Sequence, residues 1–191
     1  LPLRQTYLTG RDQNQANWIT SAEMPEVQAA SAHIYNAASR TTTQLLSDLG
    51  SWSPKVRRYA ARELRARPAE YSTILPAVQA MATNEANTMQ ARNGACAAMG
   101  EIGDSGSVPT LASLVSHPNF VVRYGAASAI YAYLSNGPNY SGNGTALKPH
   151  VNLLMQACIT NQRPLLPLDP VDPMQQVNGF ICSALFGPFG A

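Results

Sequence analysis

Lysine is almost missing from this chain: Lys55 and Lys148 are the only two in 191 residues. All charged residues together reach 13%, where a soluble domain ordinarily carries about 25%. The 13 basic and 11 acidic side chains leave a net charge of +2, too balanced to imply a nucleic-acid partner from the whole-chain field. Ser, Thr, Asn, Gln and Ala must therefore dress the surface. No run approaches the ~18 apolar residues of a membrane-spanning helix, and no charged-then-apolar export signal opens the chain. The expectation is a soluble protein without a membrane span.

The usual chemical signatures are missing as well. There is no Cys-x-x-Cys, no phosphate-cradling glycine loop ending in Lys-Ser or Lys-Thr, and no Gly-x-Ser-x-Gly. His33, His117 and His150 fall in different predicted elements, and none has a Cys, Asp or Glu at metal-ligand spacing. A catalytic constellation needs a nucleophile, base or metal brought into reach. The expectation is a non-enzymatic chain with no catalytic residue, metal or cofactor. Three cysteines, an odd number, cannot all pair within one chain.

What is present is a repeat. Val56, Arg57, Ala60, Ala61 and Leu64 return as Ala91, Arg92, Ala95, Cys96 and Met99, and again as Val122, Arg123, Ala126, Ala127 and Ile130. A weaker copy follows at Val177, Asn178, Ile181, Cys182 and Leu185. Self-similarity at a period of roughly 20–50 residues marks stacked supersecondary units. Val56, Ala60 and Leu64 are four apart, as are Ala91, Ala95 and Met99, so each set forms one stripe of a helix. The neighbouring slot (Ala61, Cys96, Ala127, Cys182) is small and apolar, which lets another helix approach closely and reads the two cysteines as buried thiols. Cys158 carries no signal.

A second helix follows each first one. Pro76-Ala77-Val78, Pro109-Thr110-Leu111 and Pro149-His150-Val151 read as three helix starts, because proline is tolerated in a first turn, where its N–H would be unpaired anyway. Gly100-Glu101-Ile102-Gly103-Asp104 reads as a helix stop at glycine, followed by an N-cap at Asp104 or Ser105. Upstream, Thr20 with Glu23 fits a capping box, Val27, Ala30, Ile34 and Ala38 keep helical spacing, and Leu45, Leu46 and Leu49 suggest a partner helix stopped at Gly50. Residues 135–146 and the proline-rich 160–173 read as surface loops. The first loop holds two glycosylation sequons, at Asn139 and Asn143, which matter only in a glycosylating secretory pathway.

These motifs, from about Ser53 to Cys158, resemble the HEAT-like repeats also seen in phycobilisome lyase-type proteins. The resemblance implies an all-α fold: an α-α superhelix, a HEAT/armadillo-like solenoid of about four helix pairs with the last truncated. It implies first helices on the convex side, second helices lining a concave groove, and a structural role for Arg57, Arg92 and Arg123 in pairing with neighbouring turns. The chain departs from the pattern where an acidic residue often precedes Val-Arg; here stand Ser53-Pro54 and His117-Pro118-Asn119. It also lacks the His-Glu dipeptides of metal-binding HEAT-like hydroxylases. The expected organisation is an extended arm at 1–19 and a repeat domain at 20–191, with pairs at about 20–50, 53–84, 88–116 and 119–159 and a partial one at 174–186.

Functionally, the expectation is a protein-interaction or scaffold module, a region of a larger protein, holding a protein partner or adjacent domain through the concave groove. Helical phase nominates Gln79, Ser113, Asn152 and Gln156 for the groove, with Tyr140 reaching from the loop. Two alternatives stand beside it: an accessory repeat domain of an extracellular enzyme, and a nucleic-acid-binding solenoid. Six basic residues, Lys55, Arg57, Arg58, Arg62, Arg65 and Arg67, crowd one predicted helix, and Arg58, Arg62 and Arg65 share a face able to meet phosphates. A solvated helix face is the reading preferred for that run, because Arg92 and Arg123 lack such company. The scarcity of lysine, the many amides and 14 prolines lean towards an exported bacterial protein.

Overall fold

A computed structural model of the chain describes residues 35–136, 144–160 and 181. The chain divides into two compact units, Leu1–Ser39 and Arg40–Ala191. The first contributes a 3-10 turn, Ala37–Ser39, to the described residues. The second is helical and, among the described residues, has no strand: α1 (Thr42–Asp48), α2 (Pro54–Arg65), α3 (Tyr71–Thr83), α4 (Met89–Ile102), α5 (Val108–Leu114), α6 (Phe120–Asn136), α7 (Gly144–Leu147) and α8 (Val151–Thr160).

Short polar side chains start these helices. Thr41 Oγ1 accepts from Gln44 N–H while Gln44 Oε1 accepts from Thr41 N–H, a reciprocal capping box that satisfies donors the helix itself cannot. Ser53 and Thr88 accept from Val56 and Ala91 N–H, and Asn119 Oδ1 accepts from Val121 N–H. Gly103, at φ 71°, ends α4 in the left-handed conformation that glycine adopts without steric cost.

The helices form two layers. α2, α4 and α6 are neighbours in one, α1, α3, α5 and α8 in the other, and α1, α3 and α5 each pack on the first-layer helix that follows. The repeat slots supply the seam between layers: Ala60, Ala61 and Leu64, then Ala95, Cys96 and Met99, then Ala126, Ala127 and Ile130 are all buried, with Ile74, Val78 and Leu111 facing them from the second layer. This is the all-α repeat solenoid that the spacing implies.

Glycine sets the distance between first-layer helices. A Cβ on Gly100 would lie 2.6 Å from the Ala129 carbonyl oxygen of α6, and one on Gly125 would lie 2.7 Å from Asn93 Nδ2 of α4. A Cβ on Gly94 would collide with Leu49 O at the end of α1. Since Asn93 meets Gly125 and Gly100 meets Ala129, α4 and α6 run in the same direction. Arg65 and Glu101 meet near the ends of α2 and α4, so those two are parallel as well.

Several local expectations are corrected. Pro76 does not start a helix; it lies inside α3, which begins at Tyr71 after a 3-10 turn at Pro68–Glu70. Its missing N–H removes the bond to Ser72 O, and both residues are exposed, so water can serve that carbonyl. Pro109 does fall in the first turn of α5, and Pro149 in the turn Lys148–His150 just before α8. The stop expected at a glycine in 100–104 is there, at Gly103, with Gly100 still inside α4. Asp104 is the N-cap of the 3-10 turn Ser105–Ser107 that runs straight into α5, as expected, but without a side-chain capping bond; the N-cap of α5 itself is Ser107, which makes no such bond either and whose Oγ is buried without a partner among the described residues. The loop placed at 135–146 is narrower, because Ser135 and Asn136 finish α6 and Gly144 opens α7. Ala38 lies in a 3-10 turn rather than a long helix. The arm at 1–19, the Thr20–Glu23 box, the sequons and the loop at 161–173 lie outside the described residues, as does the fourth copy apart from the buried, helical Ile181.

Candidate functional site

The repeated arginine is built into the scaffold. Arg57 Nη1 donates to the carbonyls of Ser51 (2.6 Å) and Trp52 (3.1 Å), six and five residues back. Arg123 repeats this with His117 O (2.7 Å) and Pro118 O (2.8 Å) at the same offsets. Arg92 differs: it is 2% exposed, its Nε donates to Ala82 O at 2.9 Å, and its Nη2 lies 3.1 Å from His117 Nε2. Backbone carbonyls at the ends of second-layer helices and in the turns thus take the role of the missing acidic residue. A helix C-terminus attracts a cation through its unpaired carbonyls and dipole.

His117 links two first helices through this arginine. Its Nδ1 lies 3.0 Å from the Asn119 amide, and Glu85 Oε1 is 3.9 Å from its Nε2. A neutral imidazole has one acceptor nitrogen, so the ring satisfies either Asn119 or Arg92, not both. These groups join α4 to the turn before α6. Among the described residues no cluster of His, Cys, Asp and Glu could hold a metal ion. Cys96 lies in the core, where burial pushes its thiol up to about 12 in spite of the Arg92 charge nearby.

The basic face nominated on α2 is partly neutralised. Glu101 of α4 lies 3.6 Å from Arg62 and 3.4 Å from Arg65, and Arg67 is held by Glu63 at 3.1 Å and by the carbonyl of Arg40 at 2.7 Å. Arg58, the third member of the face, is exposed beside exposed Lys55.

The second-layer candidates are spread over three helices. Gln79 of α3 donates to Gly106 O at 3.3 Å, tying its helix to the next turn, and Ser113 of α5 donates to Thr110 O within its own helix. Asn152 and Gln156 are exposed on α8, with Gln156 facing Thr160, and Tyr140 lies outside the described residues. Residue polarity alone did not mark the apolar side chains among them: Leu153, Met155 and Ile159 of α8 are 39%, 43% and 59% exposed. The signal available was the excess of apolar residues on this helix, seven of ten, more than a single buried face through Leu154 and Ala157 can absorb.

A second feature lies on the other layer. Over α4, between α2 and α6, runs an open trough of about 370 Å³. Gly94 and Ala97 lie in its floor, Arg58 and Ala61 on the α2 side, and Tyr124, Ser128 and Tyr131 on the α6 side. Small residues of α4, Gly94 and Ala97, keep this stretch open between its two neighbours.

Residues 42–131, from the start of α1 to well within α6 and just under half of the chain, match the family model for HEAT repeats. That segment is HEAT-like. No curated protein and no solved structure matches the chain.

Proposed function

We propose that this chain is a non-catalytic scaffold that holds a protein partner or neighbouring domain. The carrying observation is the exposure of Leu153, Met155 and Ile159 on the ten-residue helix α8, around the predicted contacts Asn152 and Gln156. Exposed apolar side chains set among polar ones favour association with another protein surface. The HEAT-like segment supports this reading, since stacked helical units characteristically offer extended surfaces for partners. Gln79 and Ser113 would extend the contact across α3 and α5, and Tyr140 would add to it from its loop. The closer kinship with phycobilisome lyase-type repeats belongs to the same proposal and rests on the Val-Arg and Ala-Ala motifs.

Purified wild type and the pair Met155→Glu with Ile159→Glu, both checked for unchanged thermal unfolding, would be compared for complex formation with the partner recovered by crosslinking. Loss of the complex in the α8 variant supports the proposal. Retention in that variant and in Asn152→Ala plus Gln156→Ala places the partner elsewhere and ends it.

A further inference from the structure

We infer that the trough over α4 is a second docking surface, one that takes a short extended acidic segment of another polypeptide. Its charge is lopsided. At the end where α2 begins, Lys55 and Arg58 are exposed and neither forms an ion pair among the described residues, whereas Glu101 at the far end is occupied by Arg62 and Arg65. The α6 side, with Tyr124, Ser128 and Tyr131, bears no charge. A carboxylate is therefore favoured over Arg58, and apolar or small side chains are favoured along Ala97 and Tyr131.

The dimensions select an extended chain. From Asn93 to Glu101, α4 advances about 12 Å at ~1.5 Å per residue, which an extended chain covers in about four residues at ~3.3 Å each. With neighbouring helix axes about 8–10 Å apart, α2 and α6 stand about 16–20 Å from each other across α4. Subtracting the side-chain radius of each wall, about 5 Å, leaves room for one extended strand and not for a helix about 10 Å across. A nucleic-acid strand is disfavoured because its phosphates would continue past Arg58 along the neutral α6 side and towards Glu101. The trough is on the opposite layer from α8, so the two proposals stand or fall separately.

The probe is the blocked peptide Asp-Asp-Leu-Ala-Ala, titrated into the ¹⁵N-labelled full chain, with Lys-Lys-Leu-Ala-Ala and a single-stranded oligothymidylate as comparisons. The expected result is saturable amide shifts centred on Asn93, Ala97 and Ser128 with the acidic peptide alone. Affinity should fall about fivefold or more in Arg58→Glu, the scale of reversing one exposed charge pair, and comparably in Ser128→Glu, while Met155→Glu leaves it unchanged. Both trough substitutions are at solvent-accessible helix positions, so folding is checked by their amide spectra. Absence of shifts at millimolar peptide, equal shifts with the lysine peptide, or tighter and steeply salt-dependent binding of the oligonucleotide would each overturn the inference. Loss of binding in Met155→Glu but not in Arg58→Glu would overturn it too.

Discussion

Gly100 of α4 rests directly on the backbone of Ala129 in α6: a Cβ there would come 2.6 Å from the carbonyl oxygen and 2.8 Å from Cα. Both obstacles are main chain, so no side chain can swing aside to relieve the clash. Gly100→Ala should destabilise the fold by about 1–3 kcal/mol as overpacking does, even though alanine is favoured over glycine in a helix interior by about 1 kcal/mol. Urea unfolding of the variant checks this; a gain in stability would mean that the helices are not in contact at this point.

The three repeat arginines should not be equivalent. Arg92 is buried and joins Ala82 O to His117, whereas Arg57 and Arg123 are less deeply buried and close their own turns. Removing a charged hydrogen-bonding group from a buried site costs about 1.5–3 kcal/mol and leaves a carbonyl without its partner. Arg92→Ala should therefore lower stability more than Arg57→Ala or Arg123→Ala. Thermal unfolding of the three variants orders them, and equal losses would contradict the distinction.

Cys96 should be chemically silent in the folded protein. Its thiol is pushed from 9.0 up to about 12 by burial, so the reactive thiolate is scarce at neutral pH and reagents cannot reach it. Because the folded value is the higher one, this group's contribution to stability is complete below about pH 9. It declines as pH rises from about 9 to about 12, where the unfolded chain ionises first. Iodoacetamide labelling followed by peptide mass analysis should modify the half-buried Cys158 well before Cys96. Rapid labelling of Cys96 without unfolding would show that the core is open.

Glu101→Gln separates stability from surface charge. Arg62 and Arg65 are 50% and 42% exposed, so losing their shared carboxylate should cost only about 1 kcal/mol or less. The same change removes the negative charge that faces Arg62 and Arg65 next to Arg58 and should raise the salt needed to elute the protein from heparin. Unchanged elution would mean that these arginines do not form one basic face.

How much was legible beforehand depends on the range over which the cause acts. The stripes through Ala60, Ala95 and Ala126 and the paired-helix architecture could be read because helix periodicity is a property of nearby residues. The caps at Thr41, Ser53 and Thr88 are legible on the same grounds, each being a hydroxyl three residues before the amide it accepts from. Pro76 lies inside α3 rather than at its start because proline marks a first turn only statistically, and an exposed helix face tolerates the missing bond.

Alone, the sequence determined the repeat, its helical character, the small residues at the seam and the scarcity of charge, all of which follow from local spacing and composition. Tertiary structure decided which glycine touches which backbone, that Glu101 neutralises Arg62 and Arg65 from 36–39 residues away, and that Arg92 meets His117 across a turn. It also decided that a trough opens over α4 while α8 leaves apolar side chains in water. Contacts of that kind depend on how far one helix is rotated and shifted against the next, and that is set by the packing of many side chains at once rather than by any one stretch of residues.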